Sequence, residues 1–435
     1  MRRVGLVLWT IAGCLMFCSR SVAGGDPVTE WAARRALALG RMDTSSAMVL
    51  RSPEVRMRNA DVNYRFRQES NLLYLTGLNR PSVTLVLAPA GVMLHDTVAH
   101  VLLFARAGED GEDPLPAIGD GVILDPGRFQ EIMSGLAGRL SMLYVNQAGV
   151  AFMQDWLSGK PMFLERDSRR EFEQRHPGLK VKNAGPVLAV LRQMKSGGEV
   201  GEIRKAIAAT DTGLRRAMQR CRPGTNEYEL QAEIEYGMAT AGAQAQSFPS
   251  IIGSGPNALI LHYELNRRAT RAGEVVVMDV GAEVNGYAAD ITRTIPVSGN
   301  FTAAQRKVYE TVLRAQQAVI ATARPGALWK SLDAAARSVI AGAGFGAFWQ
   351  HSVSHHLGLD VHDAGVMDTL RAGMVITAEP GIYIPVNDTT VTAEYRGIGV
   401  RIEDDVLITP EGSEVLSAHV PKTVAGIEQL MKTKR

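Results

Sequence analysis

A chain of 435 residues is long enough for two or three ordinary domains with full cores, and 46% apolar against 21% charged residues is a globular composition. The formal net charge of +2 is close to neutral for that length. No polybasic block or basic stripe with interleaved aromatics is present, so nucleic acid and anionic membrane surfaces are poor partners.

The first predicted segment is not part of the fold. Arg2-Arg3 precede an almost wholly apolar run from Val4 to Cys18, and Ser21-Val22-Ala23 is a small-residue exit, which together read as a signal peptide over residues 1–23, cleaved near Ala23. The apolar run is shorter than the ~20 residues of a membrane helix, so no stable span is expected after cleavage and the protein is expected to be exported, periplasmic or secreted. A lipoprotein signal at Ile11-Ala12-Gly13-Cys14 ranks second, because Leu15-Met16-Phe17 carries the apolar run past the cysteine. An uncleaved anchor ranks third. Cleavage leaves Cys221 as the one remaining thiol, so the fold does not depend on a disulfide.

From about Thr29 to Gly40, Ala, Leu and Arg recur at helical spacing. Ser46–Leu50, Leu85–Pro89 and Val101–Phe104 read as strands, and Phe129–Leu140 and Phe172–Arg175 as helices. Residues 24–190 are therefore expected to form an α/β domain. Val187–Met218 is a long amphipathic pattern interrupted at Lys195-Ser196-Gly197-Gly198, where the boundary with a second domain, 191–435, is placed. That domain is expected to be α+β, with helices over Glu227–Ala241, Gln305–Ala323 and Trp329–Gly342 and strands over 275–280, 287–295, 374–379 and 400–408.

The strands carry the chemistry. Ala272-Gly273-Glu274-Val275-Val276-Val277-Met278-Asp279-Val280-Gly281 recurs as Ala372-Gly373-Met374-Val375-Ile376-Thr377-Ala378-Glu379-Pro380-Gly381. Each copy has a second acid downstream, Asp290 and Glu403. A duplicated strand pair that points four carboxylates inward can hold two cations. With His355 as a single imidazole, the donor set suits Mn²⁺, Zn²⁺ or Co²⁺. Such a centre serves hydrolysis. His351, His355, His356 and His362 are four of the nine histidines, gathered in thirteen residues. No Glu follows His351, so this is not the H-E-x-x-H arrangement. His262 is isolated and by itself reads as structural, and Ser254 lacks the context of a nucleophile.

Met278-Asp279-Val280-Gly281 with Gly286–Thr294, then Ser354–Asp363, Glu379–Ile384 and Gly399–Asp405, resemble the metal-binding blocks of Xaa-Pro aminopeptidases, the pita-bread metallopeptidases related to prolidase, creatinase and methionine aminopeptidase. The resemblance continues through Tyr64–Gly77 and covers nearly everything after residue 23. It implies a C-terminal pita-bread domain behind a smaller α/β domain, and two divalent metals, usually Mn²⁺. It also implies release of the first residue from peptides with proline in second position. Asp279 would chelate one metal, His355 and Glu379 the other, and Asp290 and Glu403 would bridge them. A bridging hydroxide would attack the scissile carbonyl, with Glu379 as proton acceptor. His262 and His362 would stabilise the tetrahedral intermediate and position substrate. His351 would shape the proline pocket, and Tyr383 and Arg401 would stand behind the metals or beside the substrate. The resemblance further implies a homo-oligomer, dimer or tetramer. Lys195-Ser196-Gly197-Gly198-Glu199 departs from the family's usual Lys-Ser-Pro-Glu-Glu, at the domain junction. Prolidase shares the ligands and is the nearest competing reading; a non-catalytic binding protein is the competitor from another class.

Overall fold

The computed structural model describes residues 26–106, 115, 118–146, 152–154, 161–163 and 173–433. The signal-peptide and Cys14 readings lie outside these residues, as does Phe172. Among the described residues, no helix is long and apolar enough to cross a membrane.

Helix α1 (Pro27–Leu39) starts on a proline and is capped by the Asp26 side chain, which accepts the Val28 N–H. Strands β1 (Ser46–Arg51), β2 (Thr84–Leu94), β3 (Thr97–Phe104), β4 (Val122–Leu124), β5 (Met142–Val145) and β6 (Lys180–Asn183) form one mixed sheet in the order β6-β5-β1-β2-β3-β4. The strand alternation sorts its side chains into two cores. Met48, Leu50, Leu85, Leu87 and Leu103 face helices α2 (Ser70–Thr76) and α4 (Gly185–Arg192), and this core runs on into the second domain. Ala47, Val49, Val86 and Leu102 face helix α3 (Phe129–Ala137). With both faces covered, the central strands carry stretches that are apolar on both faces, 47–50 and 85–88, which is why they read as continuous runs.

The rest of the chain is built twice. Helices α5 (Gly197–Arg220) and α6 (Glu227–Thr240) pack together against one set of strands, and α7 (Ala303–Thr322) and α8 (Trp329–Gly342) against another. Both pairs open on a capping box, Ser196 with Glu199 and Thr302 with Gln305. The links within the pairs carry Arg222-Pro223-Gly224 and Arg324-Pro325-Gly326. Gly224 N donates to Thr270 O at 2.9 Å and Thr270 N back to Thr225 O at 2.9 Å; Gly326 N donates to Leu370 O at 2.9 Å and Leu370 N back to Ala327 O at 2.8 Å.

The strands repeat as well. In the first half, β7 (Ile251–Ser254) and β11 (Ile291–Pro296) flank β8 (Val275–Val280), while β9 (Ala282–Val284) pairs with β10 (Tyr287–Ala288). In the second half, β15 (Asp404–Thr409) pairs with β12 (Val375–Ala378) and β16 (Gly412–Val415), while β13 (Gly381–Tyr383) pairs with β14 (Gly399–Arg401). Each half is thus a hairpin whose two arms both bend from one small sheet into another. The expected strands 287–295 and 400–408 are corrected accordingly: each is two strands, broken at Ala289-Asp290 and at Ile402-Glu403. The break has a physical cause. The Asp290 N–H is diverted to the Asp405 carboxylate at 3.3 Å, and the Glu403 N–H to Thr292 O at 3.1 Å, so at these two residues each half bonds to the other, while Ala289 and Ile402 just before them still bond within their own half.

Candidate metal centre

Asp290 and Glu403 sit at the bends of the returning arms, and Asp279 and Glu379 at the ends of the central strands. Asp279 lies near the end of β8, opposite Thr292, and Glu379 directly follows β12. His355 comes from Val353–Leu357, a segment that runs beside β12: Leu357 N donates to Val375 O at 3.0 Å, Thr377 N to His355 O at 3.0 Å, and Glu379 N to Val353 O at 2.9 Å. The His355 Nδ1 lies 3.0 Å from the His356 carbonyl, which can only accept, so Nδ1 carries a proton and, in the neutral ring, the lone pair is on Nε2. That Nε2 is 3.4 Å from Asp290 Oδ2 and 3.4 Å from Glu379 Oε1. Donor atoms of Asp290, His355 and Glu403 all lie within 4.8 Å of one another.

The electrostatics call for a cation. Burial, then the carboxylates of Glu403, Asp279 and Glu379, push the Asp290 carboxyl well above the usual range. Burial, then Glu379 and Asp279, do the same to Glu403. Asp279 Oδ1 and Glu403 Oε1 are buried acceptors with no hydrogen-bond partner. Buried polar atoms are nearly always paired, so two orphaned carboxylate oxygens beside a free imidazole nitrogen fit bound metal and fit poorly with a dry protein interior.

The remaining oxygens are held in place. Thr292 Oγ1 donates to Glu403 Oε2 at 2.7 Å, and Arg401 Nε donates to Thr292 Oγ1 at 3.1 Å. Arg401 Nη2 meets Asp279 Oδ2 at 2.6 Å, while Nη1 donates to the Tyr383 hydroxyl at 2.9 Å. Burial opposes the charge on Arg401, but Tyr383 and Asp279 more than restore it. The His351 Nε2 is 2.8 Å from the same hydroxyl, and its Nδ1 is 3.8 Å from Glu379 Oε2. Burial pushes the Tyr383 hydroxyl up to about 12. Hydrogen bonds therefore link Asp279, Arg401, Tyr383 and His351, and the His351 ring, whose Nδ1 bonds the Ser352 carbonyl at 2.8 Å, stands beside Glu379.

The structure thus brings together Asp279, Asp290, Glu379, Glu403, His355, His351, Tyr383 and Arg401. His362 is exposed, with its ring 4.3 Å from that of His355. Burial, then His355, lower its basicity. His262 is also exposed and reaches the group through its electrostatic effect on His362. Other residues of the site escaped the sequence reading. Thr292, Arg293 and Thr294 are fully buried. Three consecutive polar residues inside a buried strand were the signal that could have found them. Asp405, which receives the Asp290 N–H, stood beside Glu403 in the same way. Cys221 is buried, and burial pushes its thiol up to about 12, in keeping with a structural thiol.

Comparison with known proteins agrees with this geometry. Residues 201–410 match the model of metallopeptidase family M24, and residues 31–130 that of the aminopeptidase P N-terminal domain. The chain is 36% identical to the Xaa-Pro aminopeptidase of Escherichia coli, over 92% of this chain and 97% of that one. The Pseudomonas aeruginosa aminopeptidase PepP superposes with a TM-score of 0.80 at 35% identity, covering 93% of this chain and 98% of that one. The E. coli aminopeptidase P with the inhibitor Pro-Leu superposes with a TM-score of 0.79 at 33% identity, again over 93% and 98%. The duplicated α+β unit is the pita-bread fold, preceded by the smaller N-terminal domain. The chain belongs to the aminopeptidase P family, within the M24 metallopeptidases.

Proposed function

We propose that this protein is a dinuclear metal-dependent Xaa-Pro aminopeptidase, releasing the first residue from peptides whose second residue is proline. The observation that carries the reading is the set of four carboxylates and one imidazole with two orphaned buried oxygens, in a chain that aligns end to end with Xaa-Pro aminopeptidases. Asp279 would hold one metal, His355 and Glu379 the other, and Asp290 and Glu403 both; Mn²⁺ suits these donors, with Zn²⁺ or Co²⁺ as substitutes. A pair of divalent cations so held would supply carbonyl polarisation and hydroxide near neutral pH.

The protein's own groups do the rest. Glu379 accepts the proton released as the carbonyl is attacked and delivers it to the proline nitrogen, which leaves as an amine. His362, whose lowered basicity keeps it neutral at pH 7, retains one N–H to donate to the oxygen on which charge develops, and His262 shares that task. His351 forms the wall of the proline pocket. Its orientation is fixed by Tyr383, itself fixed by Arg401. A proline imide lacks the amide hydrogen and has a restricted backbone, so a pocket built for the ring is needed where general aminopeptidases fail.

Three further readings accompany this one. The domain boundary is placed at 190/191, in the last turn of α4 and shortly before the turn that leads into α5. Residues 1–23 are read as a cleaved export signal, testable by the mass of the mature N-terminus. A dimer or tetramer is proposed, supported by the ribbon around Met57–Asn59 and Val62–Asn63, where Met57 is 70% and Tyr64 57% exposed. The deciding experiment is hydrolysis of an Xaa-Pro-Xaa tripeptide beside an Xaa-Pro dipeptide, with Mn²⁺ and after chelation. Metal-dependent cleavage that favours the tripeptide is expected. Cleavage of the dipeptide alone would move the assignment to prolidase, and no cleavage of either by metal-loaded protein would leave a binding role.

A further inference from the structure

His362 stands on a loop that is pinned on both sides by residues from outside the metal-binding strands. On one flank, the Leu359 carbonyl accepts Arg67 Nη2 at 2.6 Å. Asp360 Oδ1 accepts the Ser70 hydroxyl at 2.6 Å, and Asp360 Oδ2 meets Arg192 Nη2 at 2.7 Å. On the other flank, Asp363 lies between Lys195 Nζ, at 2.8 Å, and the Arg192 guanidinium, with a side chain only 2% exposed. The packing is close enough that a Cβ on Gly358 would lie 2.3 Å from Asp363 Oδ2 and 2.9 Å from Lys195 Cε. Arg67 and Ser70 belong to the N-terminal domain, at the start of α2. Arg192 and Lys195 belong to the junction between α4 and α5.

A buried ion network of this kind is weak as a source of stability, because desolvating the charges offsets their attraction. What it does supply is a defined geometry, since Arg192 Nη2 bridges Asp360 Oδ2 and Asp363 Oδ1 while Lys195 Nζ holds Asp363 Oδ2. Burial alone would push the Asp363 carboxyl up; Lys195 and Arg192 more than reverse this, so Asp363 itself is ionised at neutral pH. The residue held between the two pinned flanks is His362.

We propose that Arg67, Ser70, Arg192 and Lys195 are positioning residues, which through Leu359, Asp360 and Asp363 set the His362 imidazole over the metal centre, so that the N-terminal domain of each chain tunes that chain's own catalysis. The inference rests on the catalytic reading of His362 given above, and the test separates the two.

Ser70→Ala, Ser70→Thr, Lys195→Met and His362→Ala are made in the full-length protein, together with the two double variants that combine Ser70→Ala or Lys195→Met with His362→Ala. Turnover of an Xaa-Pro-Xaa tripeptide and metal content are read for each, and the rate of diethyl pyrocarbonate modification of His362 in metal-free protein for those that keep His362. Ser70→Ala and Lys195→Met are expected to lower kcat about tenfold with KM nearly unchanged, as a misplaced catalytic group does. Metal content should be unaltered, the His362 modification rate should rise, and Ser70→Thr should restore turnover. In the His362→Ala background the same two changes should cost less than about twofold, because groups that act as a unit are not additive. Equal losses with and without His362, or an unchanged modification rate, overturn the positioning role. An unaltered kcat in His362→Ala itself overturns the catalytic reading of that histidine, and the positioning proposal with it. Ser70→Ala removes one hydroxyl at the edge of the network, so it remains informative if Lys195→Met does not fold.

Discussion

The two halves of the C-terminal domain share one plan and differ in two places. The first difference lies beside the central strand. In the first half that position is an ordinary apolar strand, β7, with Gly253 paired to Val277. In the second half the equivalent segment places His355 beside Thr377. The second difference is at the hairpin tip. In the first half it is a tight turn with Asn285 and Gly286 both at positive φ, 51° and 83°, the geometry that suits the twist of a two-residue hairpin. In the second half the arms open into a longer excursion over 384–398. The shared plan delivers the four carboxylates in equivalent pairs. The departures deliver what a symmetric site lacks: an imidazole on one side only, and a tip on the other side that docks against the N-terminal domain through Arg67 and Gly286 O, at 3.2 Å. Cation holding thus follows from the duplication, and direction from its imperfections.

Asp290 and Glu403 are the most direct test of whether the two halves are equivalent. Asp290→Ala and Glu403→Ala remove equivalent acids from opposite halves, and each is expected to abolish metal content and to lower kcat by at least about 10³-fold. Elemental analysis and tripeptide turnover check this; a variant that keeps both metal and turnover would show that the halves are not equivalent in function. Arg401→Lys comes next. Arg401 sits in the second half but serves Asp279 of the first, and lysine cannot reproduce its fork to Asp279, Tyr383 and Thr292. A loss of about 10–100-fold in metal affinity or activity is expected, measured by chelator competition alongside kcat.

The tips give a smaller effect on stability. Gly286→Ala places a Cβ at positive φ and 2.6 Å from Leu73 Cδ2, whereas Gly397→Ala, also at positive φ, meets its nearest neighbour, Val386 Cγ2, at 3.5 Å. Urea unfolding should show a loss of about 1–3 kcal/mol for the first and about 1 kcal/mol for the second. Equal losses would mean that docking of the first tip contributes nothing. The smallest effect is one of pH. The Asp363 carboxyl is held below its ordinary value, so its share of stability is complete above about pH 4 and is lost as pH falls through the lowered value. The gap in Tm between wild type and Asp363→Asn should therefore be widest near neutrality and close below about pH 4.

Local signals in the sequence were reliable where the chemistry is local. Helix α8 runs from Trp329 to Gly342, the span its periodicity indicates. The acids of the centre stand out because their phrases end apolar strands. The bends were hidden because Tyr287–Ile295 and Val400–Ile408 each read as one strand. What breaks them is a pair of hydrogen bonds from Asp290 and Glu403 to residues more than a hundred positions away, which no local pattern encodes. The extent of the duplication was readable in the Arg-Pro-Gly triplets at 222–224 and 324–326, but only the shared hydrogen bonds give those triplets meaning. Arg67 and Ser70 could be noticed within their block; that they hold a loop nearly three hundred residues later could not.

Arg293 is completely buried and donates to Thr292 O, Glu403 O, Pro421 O, Val420 O and the Asp404 carboxylate. This has a consequence for the order of biosynthesis. A nascent chain extended only to Thr409 already contains every acid of the centre, yet the carbonyls of Val420 and Pro421 that complete the Arg293 shell are still to come. An unsatisfied buried guanidinium is strongly unfavourable. The two halves are therefore expected to remain unlocked until the last segment of the domain is made.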